Sequence, residues 1–309
     1  MSLALSTSWN AFRYTDGNKI ISEIKNLGFD EVELSFDLTA GIIKDIAKLI
    51  SRKSLKVSSL HNYCPIPTDV PRHLALPDCY SMASIDQQER EKAVKFTKST
   101  IDTAASLGAK VVVLHCGRVE IPDKTRSLIN LCTPGIKSTE EFNRIKNDYV
   151  QLRQITAKPF FENTLKSLDE LNLYAKNKDI LLGVENRFYL REIPSFEELG
   201  IILGTFKGSN IYYWHDTGHA VINEQLGFNM PNQLLNTFSE NIIGAHLHDV
   251  KSYHDHLAPL QGELDFKLIN SYFRKDTIRV IEAHYPAPAQ SIKEAKEGLE
   301  RLFNEYVSH

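Results

Sequence analysis

The sequence predicts an α/β protein folded as a closed (β/α)8 barrel in one domain covering residues 1–309. Three observations carry that expectation. Eight short apolar runs recur along the whole chain, segments of helical periodicity separate them, and several of the runs end on a residue able to bind a metal. Alternating strands and helices imply parallel strands joined by helical crossovers, and eight such units in roughly 250 or more residues is the count for a closed barrel. A doubly wound open sheet is the other arrangement that the alternation allows.

The strands are read at Leu3–Ser8, Glu31–Phe36, Val57–His61, Val111–His115, Ile180–Glu185, Ile211–His215, Ile242–Leu247 and Ile278–Glu282. Between them, Ile20, Ile21, Ile24 and Leu27, or Leu165, Leu168, Leu171 and Leu173, recur at helical spacing with polar residues opposite. Leu27-Gly28-Phe29 and Leu107-Gly108-Ala109 each place a glycine at a helix end just before a strand, where a left-handed cap is expected. The connections after the third and fourth strands are long for such units. Asn62 to about Ser84 is proline-rich, and Gly117 to about Lys146 carries Pro122 and Pro134, so both are expected to roof the mouth. No linker or low-complexity stretch divides the chain, and Tyr306 to His309 reads as a frayed end.

A net charge of -3 with 42% hydrophobic and 24% charged residues is the profile of a soluble protein with a large core. No apolar run approaches the roughly 20 residues that span a bilayer, and Met1 to Trp9 lacks the basic flank and apolar run of a leader. The expected compartment is the cytoplasm, with no membrane partner. Cys64, Cys79, Cys116 and Cys132 lack CxxC spacing and read as reduced thiols, mostly buried. Cys116 beside His115 receives a packing role, because free cysteine behaves as a small hydrophobe.

A carboxylate closing an apolar strand needs a partner to offset its desolvation. In a parallel barrel the strand C-termini share one rim, so His61, His115, Glu185, Asp216, His246 and Glu282 are expected to converge from six consecutive strands. Carboxylate and imidazole donors without thiolate suit an open site for Mn or Zn, with Co or Mg as further candidates. Asp216-Thr217-Gly218-His219 brings a carboxylate and an imidazole to the mouth if the turn opens a helix, and a purely structural cap is the other reading. His246 and His248 share a face, and one of them need reach the metal. His256, with Asp255, is a candidate accessory ligand or a solvated loop residue. Arg187 and Lys251 are candidate binders of a substrate phosphate or carboxylate, with surface salt bridges as the alternative. Trp9, Phe36, Tyr63, Tyr189 and Trp214 are candidate apolar walls, Trp214 fitting core packing better.

Taken in order, Ser59-Leu60-His61-Asn62, Val113-Leu114-His115-Cys116-Gly117, Gly183-Val184-Glu185-Asn186-Arg187, His215-Asp216-Thr217-Gly218-His219-Ala220, His246-Leu247-His248-Asp249 and Gly262-Glu263-Leu264-Asp265-Phe266 resemble the xylose-isomerase-like TIM barrel superfamily. That superfamily holds sugar and sugar-phosphate isomerases, epimerases, inosose dehydratase and endonuclease IV. Resemblance to the epimerase branch implies that Glu185, Asp216, His246 and Glu282 hold one metal while Glu185 and Glu282 serve as acid and base. The family pattern His-apolar-Lys-Asp selects His246 over His248. Resemblance to the endonuclease IV branch implies that His61, His115, His219 and a histidine near His256 join them to hold three zinc ions. The chain departs from that pattern where Asp255 directly precedes His256 without the intervening residue of Asp-x-His.

The reaction expected is sugar or sugar-phosphate isomerisation or epimerisation by proton transfer through a metal-stabilised enediolate, with one to three ions and a small carbohydrate as partner. A dehydratase or lyase using the same base is the neighbouring alternative. An abasic-site nuclease needs a basic face, which a net charge of -3 and a pI near 6.4 do not supply, so no nucleic-acid partner is expected. Homo-oligomerisation is left open, and a non-catalytic sugar-binding barrel is a third class.

Overall fold

Val111-Val112-Val113-Leu114 shows how the sequence builds its barrel. Alternate residues of a strand face opposite sides, so Val111 and Val113 pack inside the ring while Val112 and Leu114 pack outward against the surrounding helices. In the computed structural model, which describes residues 2–52, 54–132 and 140–304, this pattern recurs in every strand of the ring. The strands are β1 (Ala4–Ser6), β2 (Glu31–Leu34), β3 (Lys56–His61), β4 (Val111–Leu114), β5 (Leu181–Glu185), β6 (Ile211–Asp216), β7 (Ile242–Leu247), β8 (Asp249–Lys251), β9 (His254–Leu257) and β10 (Ile278–Ile281).

The ring runs β1-β10-β7-β6-β5-β4-β3-β2 and closes on itself with every pair parallel. All eight strands read from the sequence belong to it, within a residue or two at their ends. β8 and β9 form a separate antiparallel hairpin above the ring, which the sequence reading did not anticipate. Its four- and three-residue strands carry no hydrophobic alternation to announce them.

The expected helical faces hold for Ile20, Ile21 and Ile24, and for Leu168 and Leu171, all buried; Leu173 faces solvent instead. Gly28 and Gly108 adopt positive φ of 86° and 74°, as the left-handed cap requires. The segment after β4 is not one long loop, since it contains a helix at Thr125–Leu131 and the start of another at Glu140–Thr156. Pro134 and Tyr306–His309 lie outside the described residues. Among those residues, no helix is long and apolar enough to cross a membrane.

The barrel interior is filled by Ala4, Val111, Val113, Trp214, Ile243 and Val280, which close the ring beneath the strand C-termini. Trp214 supplies most of this plug, and glycines make room for it. A Cβ on Gly244 would collide with the Trp214 six-membered ring, and one on Gly183 would press on the same indole at 3.1 Å. Overpacking of this kind costs about 1–3 kcal/mol. Gly244→Ala is therefore expected to lower unfolding free energy by about that amount in urea titrations, relative to the unmodified chain.

Candidate metal centre

The inward face of each strand carries chemistry one layer above the plug. His61 ends β3, Glu185 ends β5, Asp216 ends β6, His246 lies one residue before the end of β7, and His115 and Glu282 directly follow β4 and β10. All six side chains are buried. With His219, His248 and His256 they form three donor groups whose ligating atoms lie within 4.8 Å of one another: Glu185, Asp216, His246 and Glu282; His61, His115 and Glu185; and Asp216, His219, His248 and His256. Glu185 and Asp216 each belong to two groups.

His246 is the centre of the first group. Its Nδ1 lies 2.9 Å from Glu185 Oε1, 3.0 Å from Glu282 Oε2 and 3.7 Å from Asp216 Oδ2. Its Nε2 faces the other way, 3.0 Å from Glu33 Oε1. Burial opposes a proton on His246, yet Glu282, Glu33 and Glu185 together hold its pKa well above the usual value. The reciprocal effect holds the carboxylates down. Burial alone would raise Glu185 and Glu282, and His246, joined at Glu185 by His115, brings both well below the ordinary range.

Glu33 is the residue that sequence reasoning missed. It is fully buried, accepts from Ser59 Oγ at 2.7 Å, and grips His246 from behind. The signal lies in Glu31-Val32-Glu33-Leu34, where alternation turns Glu33 toward the barrel interior one residue before the strand end.

In the third group the two readings of Asp216 hold together. Its Oδ1 caps the helix Thr217–Gln225 by accepting from the His219 backbone N–H at 2.7 Å, and both its oxygens lie within 3.0 Å of His248 Nε2. The His256 backbone N–H donates to His248 Nδ1 at 2.9 Å, leaving Nε2 as the nitrogen that donates to Asp216. The hairpin delivers His256 by stacking its ring between His248 and His284, at 4.1 and 3.8 Å. Asp255 pairs with His256 Nδ1 at 3.1 Å. Burial depresses the His219 pKa to about 4, which keeps it a neutral donor at pH 7.

In the second group, His115 Nε2 lies 2.8 Å and His61 Nε2 3.5 Å from Glu185 Oε2. Asp78, from the long connection after β3, reaches His115 Nδ1 at 3.2 Å. Arg187 is buried in the same corner, 3.1 Å from Glu185 and 3.2 Å from Glu192, so its charge is turned inward to protein carboxylates. Lys251 does not join the cluster. It lies exposed at the end of β8, after the buried Asp249 and Val250. Of the expected aromatic walls, Trp9, Tyr63 and Trp214 are buried in the core, and Phe36 meets the edge of His61 at 5.6 Å. Tyr189 is half-buried and accepts from Arg126 through its hydroxyl. The Cys116 thiol, pushed up to about 12 by burial, has the inert character expected of it.

These donors fit a divalent cation. With Nε2 committed to Glu33, Nδ1 of His246 faces three buried carboxylates, an arrangement that needs either a proton on that nitrogen or a cation in its place. A carboxylate behind a ligating histidine fixes its orientation and raises its basicity. Oxygen and imidazole donors without sulfur suit the harder divalent ions.

Glu33→Gln is expected to lower the His246 titration midpoint in the cation-free protein, followed by imidazole NMR, and to destabilise the fold by about 1–3 kcal/mol through the weakened buried contact. An unmoved midpoint would show that Glu33 does not govern His246.

Comparison with known proteins agrees with this architecture. The sequence pattern of the xylose isomerase-like TIM barrel family matches residues 21–304. The uncharacterized protein y4fM of Sinorhizobium fredii is 24% identical over 184 residues, 59% of this chain and 48% of that one, so the match spans about half the length of that relative. Among solved structures, apo 3-keto-D-glucoside 4-epimerase from E. coli superposes with TM-score 0.68 at 16% identity, covering 97% of this chain and 99% of that one. A D-tagatose 3-epimerase-like protein gives 0.66 at 20% identity, covering 99% and 100%. IolI protein with a bound zinc atom gives 0.66 at 15% identity, covering 99% of each chain. With a family pattern matched along nearly its whole length, this chain belongs to the xylose isomerase-like TIM barrel family.

Proposed function

We propose that this protein is a divalent-cation-dependent sugar or sugar-phosphate isomerase or epimerase, with Glu185, Asp216, His246 and Glu282 holding the cation and Glu185 and Glu282 moving the proton. The observation that carries this reading is the ring of four buried donors at the barrel mouth, with two glutamates entering from different strands. Solved structures of the same fold that are named as epimerases of a keto-glucoside and of tagatose support a sugar as substrate.

A divalent cation bound there supplies Lewis-acid polarisation of a carbonyl and its neighbouring hydroxyl. The protein's own groups do the rest. Among the described residues, the Glu282 side chain is held by one close contact, His246 Nδ1, whereas Glu185 accepts from His115, Arg187 and His246. Glu282 is therefore the freer carboxylate and takes the proton from the hydroxyl-bearing carbon next to the carbonyl. In an isomerisation the proton taken by Glu282 would be handed back at the next carbon; in an epimerisation Glu185, on a different strand, would serve as the acid, giving the opposite face of that carbon a proton passed to it from His115 at 2.8 Å, while the proton on Glu282 leaves to solvent. Glu33 keeps the His246 ring oriented while charge moves, and the plug around Trp214 keeps water from entering below.

A zinc phosphodiesterase acting at abasic DNA is the second reading, favoured by the three donor groups that share Glu185 and Asp216. The net charge of -3 speaks against it, since phosphate neutralisation dominates affinity for DNA. Cleavage of an abasic duplex by the metal-loaded protein would reverse the order.

A panel of ketoses, inositols and keto-glycosides incubated in D2O with the loaded protein tests the first reading. An isomerase or epimerase incorporates deuterium at the exchanging carbon as the new isomer forms, whereas a dehydratase or lyase yields an unsaturated or shortened product. Glu282→Gln is expected to keep the native circular dichroism and lower kcat by about 100- to 10,000-fold. Unchanged turnover would remove Glu282 from the proton path.

A further inference from the structure

We propose that Arg187 is a built-in substitute for a metal ion, its guanidinium filling the corner formed by His61, His115 and Glu185 so that this donor group takes no divalent cation. The inference rests on the reading that the neighbouring His246 centre binds such cations, and it sets where they stop.

The three donor atoms of this corner converge within 4.8 Å, as a cation would require. Arg187 already occupies the place. Its Nη1 is in contact with His115 Nε2 and lies 3.1 Å from Glu185 Oε2, two of the three donors the corner offers. A zinc or manganese ion would need to approach those same atoms to about 2.0–2.2 Å, which leaves no room for the guanidinium nitrogen. The arginine is fixed there from its outer side. Nη2 lies 3.2 Å from Glu192 Oε1 and 3.7 Å from Asp78 Oδ2, and Glu192 is itself held by the Tyr189 backbone N–H at 2.9 Å. Asp78 completes the ring by pairing with His115 Nδ1. Three carboxylates, one guanidinium and one imidazole thus form a closed network, buried except at the half-buried Asp78, in which the positive charge is covalent and permanent, since arginine does not lose its proton in proteins.

The consequence for chemistry is a fixed division of labour. Glu185 is drawn to an immobile cation on one side and to the His246 centre on the other, and its position does not depend on a second ion being supplied. A cluster built this way lacks one of the three metals that a trinuclear phosphodiesterase would use, which favours proton-transfer chemistry at the His246 centre.

The test is metal stoichiometry. Full-length protein is stripped with chelator, reloaded with Zn2+ or with Mn2+, desalted, and its metal content per chain measured by inductively coupled plasma mass spectrometry. Arg187→Met combined with Glu192→Gln, which neutralises the carboxylate left behind, is expected to bind one ion more than the unmodified chain, and adding His115→Ala is expected to remove that extra ion. No gain would overturn the proposal. Should the double variant fail to fold, His61→Ala alone decides. It is expected to leave the metal content of the otherwise unmodified chain unchanged, and loss of one ion would show that the corner is a metal site after all. An unmodified chain that binds no ion sinks the cation-dependent reading of the function, while the gain or absence of an ion in the double variant still judges the role of Arg187.

Discussion

The site depends on one imidazole with a carboxylate on each side. His246 has Glu33 behind it and Glu185, Asp216 and Glu282 in front, all shut away from water. Four acids around one base is an arrangement that isolated segments of chain would never assemble, because each buried carboxylate costs several kcal/mol unless positive charge offsets it. Closure of the barrel brings them together. β2, β5, β6, β7 and β10 each contribute one member, either within the strand or directly after it, and the backbone of each is locked by ladders on both sides. The scaffold is stiff where the charge is densest.

Shared ligands bind the three donor groups into a single unit. Glu185 belongs to the corner with Arg187 and to the centre at His246, and Asp216 belongs to that centre and to the cluster around His248. Asp216 also caps a helix and accepts its histidine prop, so it is fixed in three directions. Asn186 ties the rims of β5 and β6 by accepting from the Asp216 backbone N–H and donating to its carbonyl. A change at either bridging acid is therefore felt by two groups at once, and single substitutions there are poor measures of any one role.

The barrel and the rim were legible in the sequence because both follow from periodicity. Eight short apolar runs alternate with helical segments, several of the runs end on or just before a polar residue, and the count of eight leaves few other topologies. His61, His115, Glu185, Asp216, His246 and Glu282 converge as a strand-end rule demands. What escaped was whatever lay off that rule. Glu33 sits one position inside its strand, as His246 does, but has no motif like His246-Leu247-His248-Asp249 to single it out, and Asp78 and Glu192 come from connections whose paths no periodicity specifies. The hairpin of β8 and β9 was hidden because His254-Asp255-His256-Leu257 looks like a solvated loop, yet ring stacking on His248 and His284 orders it. The exposed position of Lys251 was not legible either, because which way a hairpin strand faces is set by pairing that the sequence does not display.

The indole of Trp214, seated between Gly183 and Gly244, has a consequence for traffic. With the far end of the barrel stoppered, ions and small solutes share a single doorway above the strand tips. Whatever enters last covers what entered first. If an ion and a sugar both bind there, as proposed, a sugar resting in that doorway would trap the ion below it, and loading would be ordered, ion before sugar.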